Sequence, residues 1–217
     1  MVGKGDDMVR RGEALRDHIL DAAKEAFLES GFERTSMDAV AARAQTSKRS
    51  LYAHFPTKDV LFAAVAERVR ELFQGRLMTP EHYGETPVEA VTVFCGHFLQ
   101  LLGWVSVART CRLGIAEAER TPEVSARLYE AFFGTATGQL AAYLGARYEL
   151  DDAAAKALAA RLLGTVVYPA LPEILFGVRP LRTAFPEVRT LADDVDLDAV
   201  RRDVAAVLAT VKGGTAD

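Results

Sequence analysis

The sequence predicts an all-α protein: a small N-terminal three-helix unit carrying a helix-turn-helix, joined by a fourth helix to a larger C-terminal helical bundle. Three observations carry this. Apolar residues recur at helical spacing almost throughout the 217 residues. Strand-like alternation and the Asn-Gly or Asp-Gly signals of tight hairpins are nearly absent. Ser, Thr, Asp, Gly and Pro fall where helices start and stop. The expected boundaries are an N-terminal arm over 1–11, a helix-turn-helix unit over 12–72 and the larger unit over 73–217.

Each element has its own signature. Leu15, Ile19, Ala22, Ala23, Ala26 and Phe27 form the apolar face of a first helix, which ends at Ser30-Gly31, with Gly supplying a left-handed residue. Ser36 caps a short second helix, Met37 to Ala44. A break at Gln45-Thr46-Ser47 precedes a third helix, Lys48 to Phe55, whose Leu51 and Phe55 face inward at i,i+4. Pro56 stops it, and Thr57 caps a fourth helix that runs toward Leu77. Thr79–Thr86 reads as a loop. Pro87 then opens a helix through Val91, Phe94, Phe98 and Leu102. Further helices are expected over 105–120, 122–147, 152–176 and 196–211, with Pro169 and Pro172 bending the third of these.

Charge places the function within this frame. The net charge is −4, which argues against a protein that coats nucleic acid along its whole surface. Residues 1–73 are balanced, but the segment from Arg43 to Lys58 holds Arg43, Lys48, Arg49, His54 and Lys58 and no acid. A local basic patch on a neutral module attracts phosphate at one place. With Leu51 and Phe55 inward, the third helix offers Lys48, Arg49, Ser50 and Tyr52 outward. Lys and Arg donate to guanine O6 and N7, while Ser and Tyr meet base edges, thymine methyls or phosphate. Thr35 and Ser36 bring hydroxyls and free N–H groups to a phosphate, and His54 and Lys58 suit the backbone on the far side.

Gly31-Phe32 followed by Thr35-Ser36, and the run from Ser47 through Tyr52-Ala53-His54-Phe55-Pro56-Thr57-Lys58 to Leu61, closely resemble the TetR family of bacterial transcription regulators. The resemblance covers about Arg11 to Val69. It implies a homodimer, a C-terminal domain for ligand binding and dimerisation, and repression of a palindromic operator relieved by a small molecule. Carried over by position, Lys48, Arg49, Ser50 and Tyr52 touch bases, and Thr35, Ser36, Ser47, Tyr52, His54 and Lys58 touch phosphate. One departure is visible: Gln45-Thr46 stands where the family commonly has Gly-Val, so either Gln45 carries a positive φ at some cost or the turn differs. Further on, Arg112–Arg120 with Pro122-Glu123-Val124 looks like the C-terminal domain of the AefR-like subgroup.

The remaining features have duller readings beside the sharper ones. Phe94, Phe98, Trp104, Tyr129, Phe132, Phe133 and Tyr168 are core or the lining of a pocket for a hydrophobic or aromatic effector, with Cys111 among them and His97 and Arg109 as its polar anchors. Cys95 and Cys111 are buried thiols or a redox pair. Asp193–Asp198 lacks the Gly and distal Glu of a calcium loop and reads as an acidic helix start, so no metal is expected. The outward faces of the last helices suit a dimer interface. No catalytic motif or cofactor signature occurs, which leaves an enzyme as the rival class and an adaptor bundle as the third. Neither a secretory leader nor a membrane span is read from the sequence, so the expected location is cytoplasmic and no membrane partner is expected.

Overall fold

The computed structural model describes residues 4–184 and 190–211. It is helical, with no strand among the described residues and no helix long and apolar enough to cross a membrane. The helices are α1 (Lys4–Arg34), α2 (Met37–Arg43), α3 (Lys48–His54), α4 (Lys58–Gln74), α5 (Pro87–Leu102), α6 (Val105–Ala116), α7 (Pro122–Tyr129), α8 (Thr135–Tyr148), α9 (Asp152–Val167), α10 (Leu171–Phe176) and α11 (Leu197–Leu208).

The punctuation acts as the sequence predicts. Gly31 breaks α1 with φ 77° and ψ 168°. Ser36, Ser47, Thr86, Asp151 and Asp196 each cap the following helix by accepting a backbone N–H three residues on. The arm expected over 1–11 differs in part: the backbone is already helical from Lys4, while residues 1–3 lie outside the described residues. The expected helix over 105–120 stops at Ala116, and the one over 122–147 passes through a π turn at Glu130–Gly134. Pro169 and Pro172 do more than bend a helix. The α9 ladder ends at Val167, and Pro172 sits in the first turn of a separate helix, where its missing N–H has no ladder partner to lose.

The chain divides into two compact units. One comprises the residues up to Glu71 together with Arg112–Leu128; the other comprises Leu72–Cys111 and the chain from Tyr129 onward. The first unit is built on Ile19, Phe27, Phe32, Val40, Leu51, Phe55, Leu61 and Phe62, all at most 2% exposed. Phe27, Phe32 and Phe62 form a ring cluster with centroids 5.0–5.6 Å apart. Leu113, Val124 and Leu128 join this core. That brings Arg112–Leu128 into the first unit, although the sequence boundary at 72/73 assigns it to the C-terminal one.

In the second unit α8 packs on α9, and α11 packs on α5 and α9. Val200, Val204, Val207 and Leu208 of α11 are buried within the chain, so the surplus apolar face expected there is already covered. The outward face of α9 is not. Ala153, Ala157, Ala160, Gly164 and Tyr168 fall on one side at helical spacing, and all are exposed.

Candidate nucleic-acid interface

The geometry of α2 and α3 follows from three local devices. The Ser36 hydroxyl accepts from Ala39 N at 3.1 Å and starts α2. The Ser47 hydroxyl accepts from Ser50 N at 3.0 Å and starts α3. Between them Gln45 takes φ 47°, the strained left-handed alternative that replacement of a glycine leaves open. The turn closes by backbone bonds from Gln45 N to Ala42 O and from Thr46 N to Ala41 O. Leu51 and Phe55, 0% and 2% exposed, then pin α3 into the core. Because those two are inward, Lys48, Arg49, Tyr52 and Ala53 face solvent.

The outward surface is richer in donors than in net charge. Ser36 and Ser47 accept from backbone as caps, and the Ser36 hydroxyl still has its proton to give. Ser47 Oγ and Ser50 Oγ lie 2.9 Å apart and share a bond. Tyr52 is 46% exposed, and His54 sits half-buried beside Phe55. Two of the basic residues are already paired. Lys48 Nζ lies 2.6 Å from Asp38, whose hydrogen bond and charge hold the ammonium above its ordinary pKa, and Arg43 lies 2.5 Å from Glu29. Arg49 has no such partner among the described residues.

Two of the expected phosphate contacts turn inward. Thr35 is 3% exposed, and its hydroxyl is shared between Gly31 O at 2.7 Å and Ala26 O at 3.2 Å. Lys58 Nζ donates to the carbonyls of Phe32, Glu33 and Thr35 at 3.0, 3.3 and 3.1 Å. An ammonium has three protons, and here all three are used. Both residues close the end of α1 against the start of α2, with their side-chain polar groups bonded to backbone carbonyls.

Arg120 is a support that the sequence did not single out. Its guanidinium lies 3.5 Å from the Phe32 ring centroid, while Nη1 donates to Asp59 at 2.9 Å and Nε to Glu117 at 2.7 Å. Glu33 completes the cluster at 3.4 Å. Lys58 also stands over the Phe32 ring, 4.2 Å from its centroid. One ring thus has two cations on it, a favourable use of its quadrupole. The sequence signal was the Arg112–Arg120 segment itself, but nothing in the residue order places position 120 beside positions 32 and 59.

Of the expected pocket residues, Phe133 brings three together, stacking on Tyr129 at 5.7 Å and meeting Phe98. Phe94, His97, Phe98 and Cys111 are core, at 0%, 2%, 1% and 8% exposure. Tyr83 stacks on His97 at 4.7 Å, and Phe98 meets Phe133 edge-on at 6.0 Å. Trp104 is half-buried, whereas Arg109, Tyr129 and Tyr168 are exposed. A cavity of about 300 Å³ in the second unit is lined by none of these residues. Cys95 and Cys111 are free thiols, and burial pushes both up to about 12.

Residues 19–65 match the family model described as bacterial regulatory proteins, tetR family, and residues 89–210 match the AefR-like transcriptional repressor C-terminal domain. The chain is 31% identical over 127 residues to the HTH-type transcriptional regulator UidR of Escherichia coli K12, a match over 57% of this chain that spans 61% of the length of UidR. It is 42% identical over 64 residues to the transcriptional activator FasR of Mycolicibacterium smegmatis, covering 27% of this chain and 29% of FasR. Among solved structures, the flavonoid-responsive regulator FrrA superposes with a TM-score of 0.70 at 27% identity, over 91% of this chain and 94% of that one. A TetR-family regulator from Mesorhizobium loti shares the fold with a TM-score of 0.73 at 22% identity, over 94% and 99% of the two chains.

Proposed function

The chain belongs to the TetR family of bacterial transcription regulators, with a helix-turn-helix DNA-binding domain, and we propose that it is a repressor that binds a palindromic operator as a homodimer and is released by a small molecule. The observation that carries the reading is the outward face of α3. Arg49, without an ion-pair partner among the described residues, stands beside Lys48, Ser50 and Tyr52, while Leu51 and Phe55 fix the helix from behind. Arg49 reads guanine through O6 and N7, and Lys48, Ser50 and Tyr52 contact neighbouring base edges. Ser36, Ser47 and His54 give hydrogen bonds to flanking phosphates and set the register.

Dimerisation runs through α9. The small residues Ala153, Ala157, Ala160 and Gly164 let a second copy approach closely, and a Cβ added at Gly164 would meet nothing within 4 Å of it. Tyr168 at 68% and Phe176 at 86% exposure supply apolar area beside that stripe. The two copies set their α3 helices about 34–36 Å apart, in successive major grooves. Repression is the role named for the AefR-like C-terminal domain, and the FrrA neighbour, described as flavonoid-responsive, favours a hydrophobic or aromatic effector. The effector lowers operator affinity by binding the released state more tightly, since only a difference in affinity between states moves the equilibrium. The site of action is the cytoplasm.

Fluorescence anisotropy tests this reading, using labelled DNA from upstream of the gene, excess random competitor and several salt concentrations, together with sedimentation of the protein–DNA complex. The expected result is competitor-resistant binding of two chains per site with a steep salt slope. Absence of binding to any sequence in a low-salt selection contradicts it.

A further inference from the structure

Asp38 is the one acidic residue between Thr35 and Lys58, the span that holds α2, the turn and α3. Its side chain is 59% exposed, on a motif whose partner is a polyanion. A carboxylate in the first turn of a helix favours the helix dipole, and that use needs no second residue. Here the side chain is engaged. Asp38 Oδ2 accepts from Lys48 Nζ at 2.6 Å and joins the first turn of α2 to the first turn of α3.

Stability does not account for this pair. Both side chains stand mostly in solvent, 65% exposed for Lys48, where an ion pair contributes little and is screened by salt. Its place is more telling. Asp38 follows Ser36 by two residues and Lys48 follows Ser47 directly, so the two halves of the pair adjoin the two helix caps. A lysine there without a partner is a phosphate contact, because its ammonium is a mobile point charge that binds any sequence alike. The carboxylate changes this in two ways. It offsets the charge of Lys48 toward phosphate and itself repels phosphate. It also takes one of the three ammonium protons and restrains the long side chain. Two donors remain, the number that guanine meets with O6 and N7. The neighbouring Arg49 has no such partner among the described residues, and its planar guanidinium already presents its donors as a fixed fork.

We propose that Asp38 is a positioning residue that determines specificity: it holds Lys48 to base reading and lowers the affinity of the helix-turn-helix for DNA of the wrong sequence. Asp38 acts through Lys48 and touches no base itself. The inference rests on the reading of α3 as the helix that contacts bases.

The test is selection from random duplex DNA with the full native chain and with Asp38→Asn, Asp38→Glu and Lys48→Met. Anisotropy then follows on the selected operator and on random duplex of equal length, between roughly 50 and 200 mM salt. Asp38→Asn and Lys48→Met are expected to relax preference at the same base pair. Asp38→Asn also tightens random DNA about threefold and steepens its salt slope by about 1, because the freed ammonium gains a phosphate. The ratio of operator to random affinity therefore falls. Asp38→Glu keeps the carboxylate and retains the native base preference. Thermal melts of all three variants match the native chain, so altered folding does not produce the relaxed position. An unchanged preference profile for Asp38→Asn, or a change at a base pair that Lys48→Met leaves alone, overturns the proposal. An equal change on operator and random DNA does so too. Any of these results, with selective binding by the native chain intact, removes the role of Asp38 alone. A native chain that selects no sequence at low salt removes the reading of α3 with it.

Discussion

At the scale of single residues, the basic patch read from the sequence is real but differently employed. The segment from Arg43 to Lys58 contains no acid in sequence, yet in space Glu29 meets Arg43 and Asp38 meets Lys48. Lys58 is spent on three carbonyls. These partners come from 10 to 26 residues away, beyond what local charge counting sees. Lys58→Met is therefore expected to lower the unfolding free energy by about 1–3 kcal/mol, because it leaves carbonyls at the end of α1 unpaired. It leaves the slope of log affinity against log salt unchanged, whereas loss of a phosphate contact would flatten that slope by about 1. Thermal melting and salt-dependent anisotropy on one preparation separate the two.

At the scale of elements, the caps and breaks were legible because each is decided within four residues. Ser36, Ser47, Thr57 and Asp151 hydrogen-bond to N–H groups three positions on, which the sequence alone locates. Gln45 is the informative case. A glycine there would be unstrained, and the structure accepts positive φ with a Cβ present. Gln45→Gly is expected to raise stability by about 1 kcal/mol, read as a higher midpoint in urea. The end of α6 was less legible: it stops at Ala116, and beyond it Arg120 pairs with Glu117 and Asp59 over the Phe32 ring. The aromatic stripe of α5 was legible as apolar but not as core or pocket, since periodicity reports which face is apolar and not whether a void lies behind it. Packing decides that, and Phe94 and Phe98 are packed solid.

Burial in α5 also gives a pH dependence. His97 lies in the core against Tyr83, and desolvation lowers its pKa from the ordinary 6.5. The unfolded chain then binds a proton that the fold refuses. The contribution to stability is complete above 6.5 and is lost as pH falls through the lower folded value. Melting midpoints taken from pH 7.5 down to pH 5 should fall more for the native chain than for His97→Phe. Equal slopes would show that another group governs the acid limb.

At the scale of the whole molecule, α9 leaves one face of small residues uncovered, and a palindromic site needs two reading helices. Gly164→Arg adds a long charged side chain to that face without disturbing the chain's own packing, because nothing lies within 4 Å of the added Cβ. The variant should sediment as a monomer, keep its helical circular dichroism and bind the operator at least tenfold more weakly. A variant that stays dimeric would move the interface elsewhere. The central claim, that the outward face of α3 reads sequence, is tested most directly by Arg49→Ala on a set of operators carrying single base changes. The account predicts a loss of about 1–3 kcal/mol on the parent operator and relaxed preference at the bases that Arg49 contacts, with the other positions unchanged. An equal loss on every operator in the set would contradict it and make Arg49 a phosphate contact.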